Sequence, residues 1–325
     1  MTSRERVCRA LRFETPDRIP RQLWVLPAAY LTHGWDLVEC IQRYPADINP
    51  RQPILPELPL LYRKGTHVDE WGSTWFNLQD GMAGEVRIPA VAEWSALDRL
   101  KPPPLDGLEA EFRQRSAHCP DAFHSLVAGS FFERLQYLRG TEKLYMDLVD
   151  QPPELTRLRD IVLEHLLDSI DIALRCPCDA IQFADDWGSQ RSLLISPTLW
   201  RDFFKPCYRM LFDRVHAAGK FVFMHSDGFI LDLLEDWIEL GVDALNCQVW
   251  LMQPEALTPF RGRITFWGEL DRQHLLPHGS PADIRHAVST MVKTLSTPQG
   301  GLIGQSEIDG LTPLANVEAV LQTWE

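Results

Sequence analysis

What this 325-residue chain lacks narrows its function before anything else does. No apolar stretch reaches the roughly 20 uncharged residues that a membrane-spanning helix needs. The opening segment MTSRERVCRALRFETPDR carries charge throughout and has no apolar stretch of the kind that marks a secretory signal, so a cytoplasmic location is expected. The seven cysteines, Cys8, Cys40, Cys119, Cys176, Cys178, Cys207 and Cys247, fall without the paired spacing of a zinc knuckle. Cys176-Pro177-Cys178 is tighter than a CxxC pair, and its proline stiffens the backbone between the thiols. A disulfide framework is therefore not expected, and reduced thiols in a reducing compartment fit the pattern. Basic residues are also short, with 32 Lys and Arg against 45 Asp and Glu, for a formal charge of −13. A surface of that sign repels phosphate backbones and anionic lipid, so neither nucleic acid nor a membrane is an expected partner. Internal repeats, low-complexity tracts and long linkers are absent as well, and residues 1–325 read as a single domain.

What is present is an ordinary globular composition, 45% hydrophobic and 24% charged. From about residue 120, short β-like runs alternate with amphipathic stretches. The expected strands are His124–Ala128, Ala180–Ala184, Phe221–His225, Ala244–Asn246, Ile264–Trp267 and Leu302–Gln305. The expected helices between them are Pro153–Leu174, Pro197–Ala218, Ile230–Leu240 and Pro281–Leu295. This is the rhythm of βα units in a parallel sheet. Ser196-Pro197 and Ser280-Pro281 open two helices with a capping hydroxyl and a proline where no N–H is needed. Upstream, Arg18–Leu26 reads as a first barrel strand and Asp47-Ile48-Asn49 as a short second one. Residues 68–86 read as a hairpin turning at Gln79-Asp80-Gly81, an insertion at about 66–90 that forms a hood over one mouth. The expected fold is α/β, a distorted (β/α)8 TIM barrel with an N-terminal β-hairpin hood.

In such a barrel the C-terminal strand ends converge on one mouth, where chemistry is done. Here those ends are polar: Asp185-Asp186-Trp187-Gly188, His225-Ser226-Asp227-Gly228, Asn246, Glu269 and Gln305-Ser306-Glu307. Adjacent carboxylates cannot both point inward from a regular strand, so either Asp185 or Asp186 acts in the mouth while the other caps a helix or pairs with Arg191. His225 is a general acid, base or ligand candidate with Asp227 two residues on, and the competing reading is a structural imidazole. Gly228 suggests a turn at which a substrate or partner approaches the backbone. His225, Asp227, Glu269 and Glu307 offer nitrogen and oxygen donors acceptable to zinc. Trp24, Trp71, Trp187, Asn246, Glu269 and Gln305 are the candidate substrate contacts. Trp71 and Trp75, four apart, share a face if the segment is extended, and packing of the hairpin explains them equally well. Cys247 reads as an inert buried thiol.

The whole chain resembles the uroporphyrinogen decarboxylase superfamily, which also holds cobalamin-dependent methyltransferases of methanogens and acetogens. The resemblance is carried by RERVCRALRFETPDR (4–18), DEWGSTW (69–75), FADDWGSQRSLLIS (183–196), residues 197–206, AAGKFVFMHSDG (217–228), GVDALN (241–246), FWGELDRQHLLPHG (266–279) and TPLANV (312–317). It implies a distorted βα barrel over nearly the full length. Two departures shape the expected activity. Where uroporphyrinogen decarboxylases resemble one another in an Arg-Gln-Ala-Gly-Arg carboxylate clamp, this chain reads Arg21-Gln22-Leu23-Trp24-Val25, without the second arginine. Coenzyme M methyltransferases of the family resemble it in the HSxG turn and the TPLxN segment, yet their two zinc-binding thiolates correspond to Asp227 and Ser306 here, and only His225 is kept. The resemblance therefore implies a corrinoid-dependent methyltransferase acting on a small methoxylated or methylated substrate. Zinc at a harder, oxygen-rich site is the expected metal, and a corrinoid is expected to come from a partner protein. A cofactor-free decarboxylase and a non-catalytic ligand-binding barrel are the alternatives, and a homodimer is a further expectation.

Overall fold

The computed structural model describes residues 1–324. Its strands are β1 (Arg21–Val25), β2 (Gly65–Val68), β3 (Thr74–Asn77), β4 (Glu85–Ile88), β5 (Ser125–Gly129), β6 (Ala180–Ala184), β7 (Phe221–Ser226), β8 (Ala244–Cys247), β9 (Thr265–Gly268) and β10 (Leu302–Ile308). Seven of them form one curled parallel sheet in the order β1-β10-β9-β8-β7-β6-β5. Each crossover carries helix, the connection that parallel pairing requires. The gap between the two outer strands is bridged by Asp47–Asn49. Asp47 N–H donates to the Arg21 carbonyl (2.9 Å), Asn49 N–H to the Phe123 carbonyl (3.1 Å), and Phe123 N–H to the Asp47 carbonyl (3.0 Å). The second strand is thus reduced to a single bridge, and the arginines pin it in place. Arg6 and Arg18 both donate to the Asp47 carboxylate, which also accepts the Arg21 N–H.

Alternation along the strands creates two apolar layers. One face of the sheet packs on the helices through residues such as Ile181, Phe183, Val222, Met224, Leu245 and Phe266. The other fills the lower lumen with Ile48, Phe123, Ala180, Phe223, Ala244, Trp267 and Ile303. Val7 and Leu11 of the N-terminal helix Ser3–Arg12 join that cluster and plug its end. Each large side chain so buried contributes roughly 1.5–3 kcal/mol of transfer free energy.

The helices Pro153–Leu174 and Pro281–Leu295 form as the periodicity predicts. Ser280 and Asp283 make a reciprocal capping box, and the Ser196 hydroxyl accepts Leu199 N–H (3.2 Å). The stretch expected as one helix over 197–218 is two, Pro197–Phe203 and Lys205–Ala217. Pro206 is the cause: it lacks an N–H and its ring would strike the carbonyl four residues back, so it sits in the first turn of a new helix. The expected hairpin is a three-stranded antiparallel sheet, β2-β3-β4. Trp71 lies in the turn before β3, outside any strand, so it and Trp75 do not share a strand face. Both are buried. Asp69 organises the turn by accepting from Trp71 N–H, Ser73 N–H and the Trp75 indole, while the Ser73 hydroxyl donates to the Tyr137 carbonyl. Among the described residues, no helix is long and apolar enough to cross a membrane.

Candidate active site

His225 sits at the top of β7, two residues beyond the lumen-filling Phe223. Register places Ala184 and Asn246 beside it on the neighbouring strands. The Asn246 amide fixes its tautomer. Asn246 Nδ2 donates to the Trp267 carbonyl (2.5 Å) and to Gln305 Oε1 (3.0 Å), so Oδ1 is left to face His225 Nδ1 at 2.5 Å. An amide oxygen can only accept, so Nδ1 carries a proton and, in the neutral ring, Nε2 is the free nitrogen. Trp24 packs against the ring in a T-shaped contact, its centroid 5.2 Å from that of the imidazole and 5.0 Å from that of Trp267.

Nε2 faces carboxylates, 3.5 Å from Asp186 Oδ1 and 3.7 Å from Asp227 Oδ1. The strand pleat explains why Asp186 and not Asp185 arrives there. Asp186 Oδ1 also accepts Asp227 N–H (2.9 Å), which ties the β6 and β7 exits together. Those exits touch backbone to backbone at Gly188 and Gly228, where a Cβ on either would run into the other. Gly228, at φ +83°, therefore serves this strand-exit contact; the approaching backbone is Gly188.

A second cluster adjoins the first. Arg272, in the loop after β9, donates to Asp227 Oδ2 and to Glu307 Oε1 (2.5 Å), and its Nε lies 4.0 Å from Glu269. Burial pushes Glu269 up to about 8 even though Arg272 pulls the other way. Burial also raises Glu307 and Asp186. Glu133 joins from the helix Phe132–Arg139, pushed up to about 8 by burial and then by Asp186 and Asp185; Tyr137 donates to it (3.1 Å). Burial lowers His225, and the fields of Asp227 and Asp186 overturn that, leaving it above its ordinary value. Tyr62 stands near enough to Glu307 and Glu133 for both to add to the upward push of burial on its phenol.

Several expected site residues have other work. Asp185 is buried, and accepts Phe131 N–H (3.0 Å), Glu133 N–H (2.9 Å) and the Tyr208 hydroxyl (2.7 Å). It anchors the start of a helix and does not enter the mouth. Trp187 is fully buried, stacked 3.9 Å from Phe132 with its indole donating to Tyr208, so it is core and not a substrate wall. Trp71 packs against His165 and Arg134 and also lines a cavity of about 700 Å³. Asn246 and Gln305, both without exposed surface, orient His225. Glu269 and Glu307 gather on Arg272, within reach of the His225 charge but outside the group of donor atoms that meet at its Nε2. Ser306 is buried and donates to the Gln305 carbonyl. Cys247 is fully buried, as expected. Sequence reasoning passed over Arg272 because it lies in a loop beyond the strand end; its signal was a lone cation following Glu269 and Asp271.

The donors that do converge are Asp186, His225 and Asp227, with one ligand atom from each lying within 4.8 Å of the others. Asp227 Oδ1 is buried and has no hydrogen-bond partner among the described residues. An unsatisfied carboxylate oxygen beside a free imidazole nitrogen is costly without a cation between them. Nitrogen and carboxylate oxygen are ligands that zinc accepts, so the residues present fit a divalent ion.

The profile of the uroporphyrinogen decarboxylase (URO-D) family matches residues 126–325, and the chain belongs to that family. A methyltransferase from Methanosarcina mazei has the same fold, with a TM-score of 0.72 at 15% identity over 99% of this chain and 98% of its own. Weaker likenesses include 7,8-dihydropteroate synthase from Vibrio fischeri (TM-score 0.32, 14% identity, 43% of this chain and 53% of that one) and 3-keto-D-glucoside 4-epimerase from E. coli (0.39, 14%, 66% and 83%). No curated protein matches the chain.

Proposed function

We propose that this protein is a metal-assisted methyltransferase that moves a methyl group between a small O-methylated substrate and a corrinoid carried by a partner protein. The observation that carries the reading is the meeting of His225 Nε2, Asp186 and the unpartnered Asp227 Oδ1 at the barrel mouth. These three residues would hold zinc, which as a Lewis acid polarises the oxygen bearing the methyl group. A carboxylate and imidazole donor set is harder than a thiolate set, so it suits an oxygen leaving group over a thiol. The fold shared with the Methanosarcina methyltransferase accommodates this activity.

The chain's own residues supply the rest. Asn246, held by Gln305 and the Trp267 carbonyl, keeps Nε2 aimed at the site. As the methyl–oxygen bond breaks, negative charge develops on oxygen. Glu133, pushed up to about 8 by burial and near enough to Asp186 to feel its charge, would deliver the proton. Arg272 draws Asp227 Oδ2 aside and leaves Oδ1 free. Decarboxylation of a polycarboxylate fits poorly, because Asp186, Asp227, Glu269, Glu307 and Glu133 surround the mouth with Arg272 as the cation among them.

The test is elemental analysis of tag-free protein followed by corrinoid spectroscopy with a panel of methoxylated compounds. Near-stoichiometric zinc, lost in His225→Ala, together with a substrate-dependent change in corrinoid absorbance, is expected. Absence of metal from the wild type, or carbon dioxide release without any corrinoid response, would overturn the reading.

A further inference from the structure

The lumen is not filled evenly below His225. On the β7–β10 side, Phe223, Trp267 and Ile303 close it, whereas β1, β5 and β6 turn shorter or polar side chains inward. The result is a cavity of about 400 Å³ that reaches from Trp24 out past Arg51 and Arg115. That volume suits a molecule of about one ring and lies in the range of small-ligand sites.

Three features of its lining point to a ligand. Ser125 is 3% exposed, and its hydroxyl has no hydrogen-bond partner among the described residues. The Gln182 side chain, 9% exposed, makes no hydrogen bond within the described protein. Gln22 accepts from the Trp267 indole through Oε1 (2.9 Å), which leaves its NH2 as a donor. Buried polar groups are nearly always paired, so the orphaned Ser125 hydroxyl, beside two amides with unused donors, calls for an occupant. The lining also differs in charge from the mouth beside it. Among the described residues no Asp or Glu lines the cavity, in a chain of net charge −13, while arginines stand at its outer end. Arg115 is paired with Glu111 on its own helix, and Arg51 leans on the Tyr30 ring.

We infer that this chamber is a carboxylate subsite, in which a small monocarboxylate is held by the Gln182 and Gln22 amides and the Ser125 hydroxyl, with Arg51 favouring anion entry. Neutral N–H and O–H donors bind a carboxylate through charge-assisted hydrogen bonds, stronger than neutral pairs. Trp24 is the common wall, lining the chamber and touching the His225 ring, so an acid bound here lies next to the reacting centre. The inference rests on the methyl-transfer reading only for the identity of that centre. It adds that the substrate is an acid recognised on the β1/β5/β6 side.

Calorimetric titration of the whole protein with benzoate, benzyl alcohol and benzylamine tests it, since the three probes share a ring and differ in charge. Benzoate is expected to bind at least tenfold more tightly than either of the others. Gln182→Met is expected to weaken benzoate at least tenfold, and Ser125→Ala several-fold, with melting temperature and zinc content unchanged. If Gln182→Met does not fold, Ser125→Ala and Arg51→Ala decide. Equal affinity for the three probes, preference for the amine, or no binding by any would overturn the subsite. Because these titrations need neither metal nor corrinoid, the subsite and the methyl-transfer reading can fail separately.

Discussion

The lower lumen and the mouth are built from the same strands, two residues apart, and obey opposite rules. Below, Phe223 lies between Phe123 (5.5 Å) and Trp267 (5.0 Å) with no exposed surface. Above, His225, Asp186, Asp227, Glu269 and Glu307 crowd together with orphaned oxygens on Asp227 and Glu269. The apolar layer stabilises the barrel and holds the strand ends still. The polar layer draws on that rigidity to keep like charges close, which no flexible loop would do unaided.

The comparison breaks first at Phe223. Phe223→Ala opens a cavity in a layer that cannot collapse around it, and is expected to cost about 3–5 kcal/mol in denaturant unfolding. The protein that remains folded should still bind zinc, because no ligand is touched. Arg272→Met attacks the upper layer instead. It leaves Asp227, Glu269 and Glu307 facing one another, an uncompensated buried charge worth roughly 3 kcal/mol at alkaline pH. The pH dependence follows from Glu269, whose folded pKa of about 8 lies above its ordinary 4.5. Between those values the native state holds a proton that the unfolded chain has lost, so stability falls as pH rises through that window. Arg272→Met should steepen this fall and Glu269→Gln should flatten it, compared at pH 5, 7 and 9. A pH-independent loss in Arg272→Met would mean that the guanidinium acts through packing alone.

The contrast between layers also explains what could be read from the sequence. Apolar runs ending in polar residues announced β6, β7, β8 and β9 to within a residue, and the start of β10, which runs three residues beyond the expected Gln305, because burial on both faces demands such runs. Parity then made His225, Asn246 and Gln305 neighbours. Parity also points to Asp186, in step with Gln182 and Ala184, provided the pleat continues past the end of β6. Trp187 misled because a large aromatic after a strand end suits a pocket wall and a core equally, and Phe132, Phe204 and Tyr208 claim it for the core. Gln182 was legible in principle: it is the one polar residue in the run Ala-Ile-Gln-Phe-Ala, at an inward position.

Asp185 and Asp186 give the finest form of the comparison, adjacent carboxylates assigned to different layers by one step of the pleat. Asp185→Asn keeps the shape but weakens the acceptor for two backbone N–H groups and the Tyr208 hydroxyl. It is expected to lower stability by about 1–3 kcal/mol, with zinc content unchanged. Asp186→Asn relieves a like-charge contact with Asp227 and leaves no buried backbone donor without a partner, since the amide oxygen still accepts Asp227 N–H. Its stability should stay within about 0.5 kcal/mol of the wild type. Its zinc affinity should nonetheless drop by about 100-fold, measured by competition with a chromogenic chelator, because a neutral amide is a poor zinc ligand. If both variants lost stability and kept zinc, neither aspartate would belong to a metal centre, and His225 with Asp227 would have to hold the ion with a ligand from the substrate.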